Sequence, residues 1–212
     1  YRYWLRVLCD TTFDDRSVGQ LKYKQLTTPQ AQIIYDTLSD RGITFANRIT
    51  GVTRKVFNYA MKYGIVDKNP WSMIQAETPK PRKVMWQPTD VSKFLTHAYS
   101  NFKTRGIGVI AHMAYEWAQR IGDMRMLTWD KIDFENKVLH LEQSKRRAVV
   151  HLPISDELMD VLQQQNGLFD WQPYVAPNVN AKTQNGYAPY GLEVVSRVAK
   201  KIIKEAGLSE EL

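Results

Sequence analysis

The 212 residues include 29 Lys and Arg against 22 Asp and Glu, a formal net charge of +7 and a sequence pI of about 9.4. Hydrophobic residues make up 43% and aromatics 11%, which excludes the composition of a disordered chain. No apolar run reaches the roughly 18 residues of a membrane span, no signal peptide is legible, and the single Cys9 can form neither an internal disulfide nor a cysteine-based zinc site. A soluble protein of one large or two small domains in a reducing compartment is expected. Because the first residue is Tyr rather than Met, further sequence is expected to precede it.

Residues 28 to 63 read as two helices. Pro29 suits a first helical turn, and Ile33, Ile34 and Leu38 follow helical spacing up to Asp40-Arg41-Gly42. Thr44 is the expected cap of the next helix, whose apolar positions are Ile49, Val52, Val56, Tyr59, Ala60 and Tyr63, ending at Gly64. Arg48, Lys55, Asn58 and Lys62 fall on a neighbouring stripe. Residues 41 to 83 hold nine basic side chains, Arg54, Lys80, Arg82 and Lys83 among them, and two acidic ones; the remainder is balanced. Such an excess suits a surface meeting phosphates, although charge alone equally fits a lysine-rich solvent face.

Three prolines and no periodicity between Glu77 and Pro88 predict an extended linker over 78–88, between domains at 1–77 and 89–212. Helices follow from Asp90 (Val91, Phe94, Leu95, Ala98) and over Ile107 to Gln119 (Ile110, Ala111, Ala114, Tyr115, Ala118). The period then changes to two. Pairing Leu139 with Leu152, Leu141 with Val150 and Gln143 with Ala148 gives a hairpin with one apolar face, His140 and His151 on the other, and Lys145, Arg146 and Arg147 at the tip. A short helix over Asp156 to Gln164, a loop over Gly167 to Gly186 and a two-faced helix over Leu192 to Ala206 complete the chain. The last helix carries Arg197, Lys200, Lys201 and Lys204 on its polar side.

Several motifs lead nowhere. Gly106-Ile-Gly108-Val-Ile-Ala111 lacks the hydrophobic strand that a dinucleotide fingerprint needs before it. His112 with Glu116, and His140 with His151, lack the further ligands a metal needs, so packed or solvent-facing histidines are expected. Asp130, Asp133 and Glu135 could serve a metal-dependent nuclease, yet Asp-rich turns before a strand are ordinary.

Residues 114 to 133, from Ala114-Tyr-Glu-Trp-Ala-Gln-Arg120 through Asp123, Leu127 and Trp129 to Ile132-Asp133, resemble the first arginine box of the tyrosine site-specific recombinases, the phage integrase family. Gln143-Ser144-Lys145 and Leu152-Pro153-Ile154 match the family's lysine hairpin and its exit. Asn58 to Trp71 resembles the end of its helical core-binding domain, and the three segments come in the family's order. The family's His-x-x-Arg box should follow Ala206-Gly207-Leu208 but is absent, and no tyrosine lies beyond it; Tyr187 and Tyr190 come too early. The resemblance therefore implies a recombinase cut before that box and before its nucleophile, and inactive as these 212 residues.

Transferring a phosphodiester to tyrosine builds charge on non-bridging oxygens, which a guanidinium can meet with two parallel hydrogen bonds. By resemblance Arg120 takes that role and Asp123 braces it. The same resemblance implies that Lys145 is the general acid that would protonate the departing 5′-oxygen, with Arg146 and Arg147 as the expected neighbouring cations. Taken alone, Arg120 reads as a salt bridge with Asp123 and Lys145 as a solvated turn residue. The implied fold is mainly α: a helical core-binding domain, then the N-terminal part of an α+β catalytic domain with a small antiparallel sheet. The two domains would clamp duplex DNA, contacted by Arg48, Arg54, Lys55, Asn58, Lys62, Lys80, Arg82, Lys83, Arg146 and Arg147. Site-specific recombination through a 3′-phosphotyrosyl intermediate, without metal or cofactor, by a homotetramer on two DNA sites in the bacterial host cytoplasm, follows from the same resemblance. The alternatives are a non-catalytic DNA-binding protein, such as a relative lacking the nucleophile, and a metal-dependent nuclease or transposase.

Overall fold

The computed structural model describes residues 1–81 and 83–212. The chain divides into two compact units, Tyr1–Arg82 and Lys83–Leu212.

The first unit packs three helices, α1 (Arg2–Asp10), α2 (Thr28–Ser39) and α3 (Ile43–Lys62), with a two-stranded ribbon of β1 (Thr12–Phe13) and β2 (Arg16–Ser17). Thr27 and Gln30 form a capping box that starts α2, with Pro29 in its first turn. Ala31, Ile34, Tyr35 and Leu38 of α2 meet Ala46 and Ile49 of α3 and Leu8 of α1. Trp71, fully buried, and Ile74 close this core from beyond α3. Polar bonds hold that returning segment. Tyr35 Oη donates to Asn47 Oδ1 (2.9 Å) and accepts from Glu77 N (2.8 Å), while Asn47 Nδ2 donates to Glu77 O (2.8 Å).

Two expectations for α3 change. Gly42, not Thr44, occupies the N-cap position, because its φ of 126° lets the chain re-enter a helix only three residues after α2 ends. Val56, Tyr59 and Tyr63 are exposed rather than packed. The buried positions are Ala46, Ile49, Thr50, Val52 and Thr53, so the C-terminal half of this 20-residue helix runs past the core beneath it. Between Glu77 and Pro88 the described residues are exposed and form neither helix nor strand.

The second unit is built round α5 (Phe102–Trp117), which contacts α4 (Pro88–Tyr99), α6 (Ile121–Met124), α7 (Asp156–Phe169) and α8 (Leu192–Glu205). Asn101 caps α5 by accepting from Lys103 N at 2.9 Å, so the polar residues 101–105 belong to its first turns and the helix begins five residues before the expected Ile107. The two glycines of the failed fingerprint are packing positions. A Cβ on Gly106 would stand 2.9 Å from the Tyr190 ring, and one on Gly108 would stand 2.8 Å from the Tyr99 ring. Ala118 and Tyr115, expected on the apolar side, are exposed, and Ala118 ends the helix in the left-handed region at φ 49°.

β3 (Ile132–Asp133), β4 (Val138–Glu142) and β5 (Val149–Pro153) form an antiparallel sheet in that order. The expected register is present, with Leu139 opposite Leu152, His140 opposite His151 and Leu141 opposite Val150. Gln143 N donates to Ala148 O at 2.9 Å, extending the same register. Helix α7 continues to Phe169, past the expected Gln164. The expected loop over Gly167 to Gly186 also contains most of a second hairpin, β6 (Pro177–Thr183) with β7 (Gly186–Pro189). Its two-residue turn is Gln184-Asn185, just before Gly186 at φ 138°, and it is obscured in the sequence by Pro177 and two asparagines and by an irregular register between Pro177 and Lys182. Among the described residues no helix is long and apolar enough to cross a membrane.

Candidate functional site

Where α5 ends, the chain turns and Arg120 takes the N-cap position of α6 in extended conformation. Its Nη1 lies 3.8 Å from Oδ2 of Asp123, with the arginine side chain 42% exposed and the aspartate side chain 5% exposed. Asp123 N also donates to Arg120 O at 2.9 Å. Oδ2 of Asp123 is buried and has no hydrogen-bond partner among the described residues. A buried carboxylate oxygen is costly without a countercharge, so the pair fixes Arg120 on one side and leaves the rest of its guanidinium facing solvent. This ion pair is the contact that both sequence readings of Arg120, a brace and a plain salt bridge, expected.

The hairpin of β4 and β5 is seated on the last turn of α5 by three connections. Glu116 accepts from Ser155 N (2.8 Å) and from Ser155 Oγ (2.6 Å); Ser155 Oγ in turn caps α7 by accepting from Leu158 N (3.2 Å). Trp117 Nε1 donates to Pro153 O at 2.9 Å. Gln119 Nε2 donates to Trp117 O (2.9 Å), and its Oε1 accepts from Gln143 Nε2 (2.7 Å). Gln119 adjoins Arg120 in the chain, and Gln143 stands two residues before Lys145. Sequence reasoning missed Glu116, Gln119 and Ser155 as positioning residues; Gln143 was read only as part of the hairpin motif.

Lys145 sits exposed in the hairpin turn, which Arg147 N closes by donating to Gln143 O at 2.9 Å, with Arg147 at φ 54°. Arg146 and Arg147 are exposed beside it, and Arg147 pairs with Glu142 at 3.4 Å. One of the two expected neighbouring cations thus has its own carboxylate partner. Among the described residues no hydrogen bond or ion pair joins Lys145 to Arg120; the seat brings together their neighbours, Gln143 and Gln119.

Neither Tyr187 nor Tyr190 is presented for attack. Tyr190 is 1% exposed, packs on Gly106 of α5, and has its phenol pushed up to about 12 by burial. Arg125 Nη1 donates to its carbonyl at 2.7 Å. Tyr187 is half-buried against Phe169 and Trp171. The acidic turn is occupied by its own contacts. Hydrogen bonds from Lys131 and Thr128 hold Asp130 below its usual carboxylate range, and bonds from Asn136 do the same for Asp133. Among the described residues no group of three potential metal ligands occurs.

The expected DNA contacts divide into two kinds. Arg48 and Lys55 line an open groove of about 500 Å³ in the first unit with Tyr1, Trp4 and Asn47, and Lys55 Nζ stands 5.8 Å above the Tyr1 ring. Lys62, Lys80 and Lys83 are exposed. Arg54, partly buried, and Asn58, exposed, are engaged by the returning chain: Arg54 Nε donates to Trp71 O (3.0 Å), and Asn69 Nδ2 donates to Arg54 O (3.0 Å) and Asn58 Oδ1 (2.7 Å). Those two residues hold the Asn69-Pro70-Trp71 turn against α3. Arg82 lies outside the described residues. In the second unit, the basic side of α8 is exposed as expected, and Lys201 lies 3.6 Å from Glu205.

A family model described as the phage integrase family matches residues 87–211, more than half of the chain, and the chain belongs to that family. Over 151 residues it is 25% identical to the integrase of Shigella phage Sf6 and to prophage integrase IntS of Escherichia coli K12, a match that covers 68% of this chain and 39% of each relative. The chain therefore spans well under half the length of these relatives. Its fold is similar to that of lambda integrase, solved as a dimer bound to a COC′ core site (TM-score 0.73, 20% identity, 98% of this chain and 56% of that one). It is also similar to the Tn1549 transposon integrase in complex with transposon right end DNA (TM-score 0.72, 16% identity, 100% of this chain and 74% of that one).

Proposed function

We propose that these residues are the DNA-binding portion of a phage-type integrase, which cuts and rejoins DNA at specific sites through a 3′-phosphotyrosyl intermediate. The carrying observation is the shared seat: Arg120 and the hairpin that presents Lys145 are both held by the end of α5, through Gln119 and Gln143. Arg120 stabilises charge on the non-bridging phosphate oxygens, Asp123 positions it, and Lys145 protonates the departing 5′-oxygen. No metal or nucleotide is required by this scheme. Residues 1–77 act as the helical core-binding domain and 89–212 as part of the catalytic domain, joined by 78–88. The working assembly is a homotetramer on two DNA sites in the cytoplasm of a bacterial host, in line with the lambda integrase tetramer solved on a Holliday junction.

Exposed Arg48, Lys55, Lys62, Lys80, Lys83, Arg146 and Arg147 serve as phosphate contacts, as does Arg82 by its place in the basic stretch. Arg54 and Asn58 support that surface by holding the Asn69-Pro70-Trp71 turn. Fluorescence anisotropy with a duplex at several salt concentrations separates the two kinds. Affinity should fall linearly on a logarithmic salt scale, with a slope that shrinks by about one for each of Arg48→Ala and Lys55→Ala. Asn58→Ala should lower the melting temperature and leave the slope unchanged. A flat salt response in the unaltered chain would defeat the DNA-binding reading.

Residues 1–212 alone should form no covalent adduct, because Tyr190 is buried with a raised pKa and Tyr187 is packed between aromatic rings. Incubation with a nicked suicide duplex followed by denaturing electrophoresis checks this. An adduct lost on Tyr187→Phe or Tyr190→Phe would overturn the placement of the nucleophile outside these residues.

The roles of Arg120 and Lys145 separate in a protein that also supplies the His-x-x-Arg sequence and the nucleophile. Arg120→Lys keeps a countercharge for Asp123 but loses the bidentate fork, and should slow cleavage whatever the leaving group. Lys145→Ala should be largely rescued when the 5′-oxygen is replaced by sulfur, because a thiolate leaves without a proton. Equal rescue of both variants, or of neither, would return Lys145 to a phosphate-contact role.

A further inference from the structure

On the exposed face of the lysine hairpin, His140 of β4 and His151 of β5 are direct cross-strand partners, and their Nδ1 atoms lie 2.7 Å apart. The ring centroids are 4.8 Å apart and the rings stand at 74° to each other. The proposed reaction uses neither ring, and nothing covers either one: both residues are exposed, while Leu139 and Leu141 on the opposite face of β4 are buried.

Two imidazole nitrogens at this distance cannot both present lone pairs to each other, so one proton must lie between them. A cation that takes the place of that proton meets two nitrogen donors already converged by the strand register. Two nitrogens bound to one tetrahedral zinc ion at about 2.0–2.1 Å sit roughly 3.3 Å apart, so the pair needs to open by about 0.6 Å. The ring that gives up its Nδ1 proton is left neutral by carrying the proton on Nε2, and both rings become ligands in the form that binds metal. Asp133 of β3 lies within electrostatic range of His140 and favours added positive charge there. Imidazole pairs suit zinc, nickel and copper rather than magnesium or calcium.

We propose that His140 and His151 form a bidentate site for a divalent transition-metal ion, its remaining positions filled by water. Among the described residues no third side-chain ligand completes the set, which places the site in the weak, exchangeable class. Occupation ties β4 to β5 at the centre of the ladder that presents Lys145.

The test titrates Zn²⁺ and, separately, Ni²⁺ into residues 1–212 by calorimetry, in a Cys9→Ser background because the Cys9 thiol is exposed and would compete. One site is expected, and His140→Ala or His151→Ala should each weaken it by about tenfold or more, because the second ligand acts at high effective concentration. His97, beside Glu205 at 3.4 Å, supplies the control, and His97→Ala should leave binding unchanged. Metal should raise the melting temperature only when both hairpin histidines are present. Circular dichroism of each variant confirms that the fold is retained, as expected for exposed positions. Absence of binding, binding retained in both single variants, or loss on His97→Ala would each overturn the proposal. None of these outcomes bears on Arg120 or Lys145, so the metal site and the recombinase reading fail independently.

Discussion

The last turn of α5 is where the second unit commits its geometry. A helix buried on most of its surface ends there in one left-handed residue, Ala118, and the side chains around that end reach out to the hairpin. Glu116 holds Ser155, Trp117 holds Pro153 and Gln119 holds Gln143, so the two legs of the hairpin are gripped near both of its strands. The hydrogen bonds to Glu116 involve a charged acceptor and are each worth about 1.5–3 kcal/mol, more than the bond between two amide side chains. Glu116 therefore supplies most of the strength of the grip, and Gln119 most of its direction toward the tip.

The same turn decides how Arg120 is used. An N-cap position in extended conformation throws the side chain outward, and the buried Asp123 oxygen draws one edge of the guanidinium back. What remains free is a forked donor on a rigid base, the arrangement that recognises an oxyanion without reorganising. Lys145 is held differently. Its backbone is closed into a turn two residues beyond an anchored glutamine, while its side chain is free. A fixed arginine and a lysine on a tethered tip suit the two tasks proposed for them: charge that develops at one place, and a proton delivered to an atom that moves away.

Much of this was legible in the sequence because it depends on local pattern. The hairpin register followed from alternation alone, since a slip by one residue would have exposed Leu139 and Leu141. The arginine box and the lysine motif were legible only through their resemblance to the family. What remained hidden depends on tertiary partners. Trp71 reads as a residue after a turn, yet it fills the first core because Arg54, Asn58 and Asn69 fold it back. Asn58 lies on the basic stripe by helical arithmetic and Arg54 in the basic stretch, and only the returning chain shows that both are tied to Asn69 and Trp71. Val56, Tyr59 and Tyr63 have helical spacing but no partner beneath them. The hairpin of β6 and β7 was masked by Pro177 and by its irregular register, although Asn185 and Gly186 stand at its turn and the start of β7.

Hydrogen exchange at the hairpin measures the seat directly. The amides of Gln143 and Arg147 close the turn, whereas those of Val109 and Ile110 lie in the buried middle of α5. Gln119→Ala removes one net hydrogen bond, about 1 kcal/mol, and should speed exchange at Gln143 and Arg147 by roughly fivefold while leaving Val109 and Ile110 unchanged. Unchanged exchange at Gln143 and Arg147 in that variant would mean that the bond between Gln119 and Gln143 does not hold the tip, and that Arg120 and Lys145 do not share a seat through it.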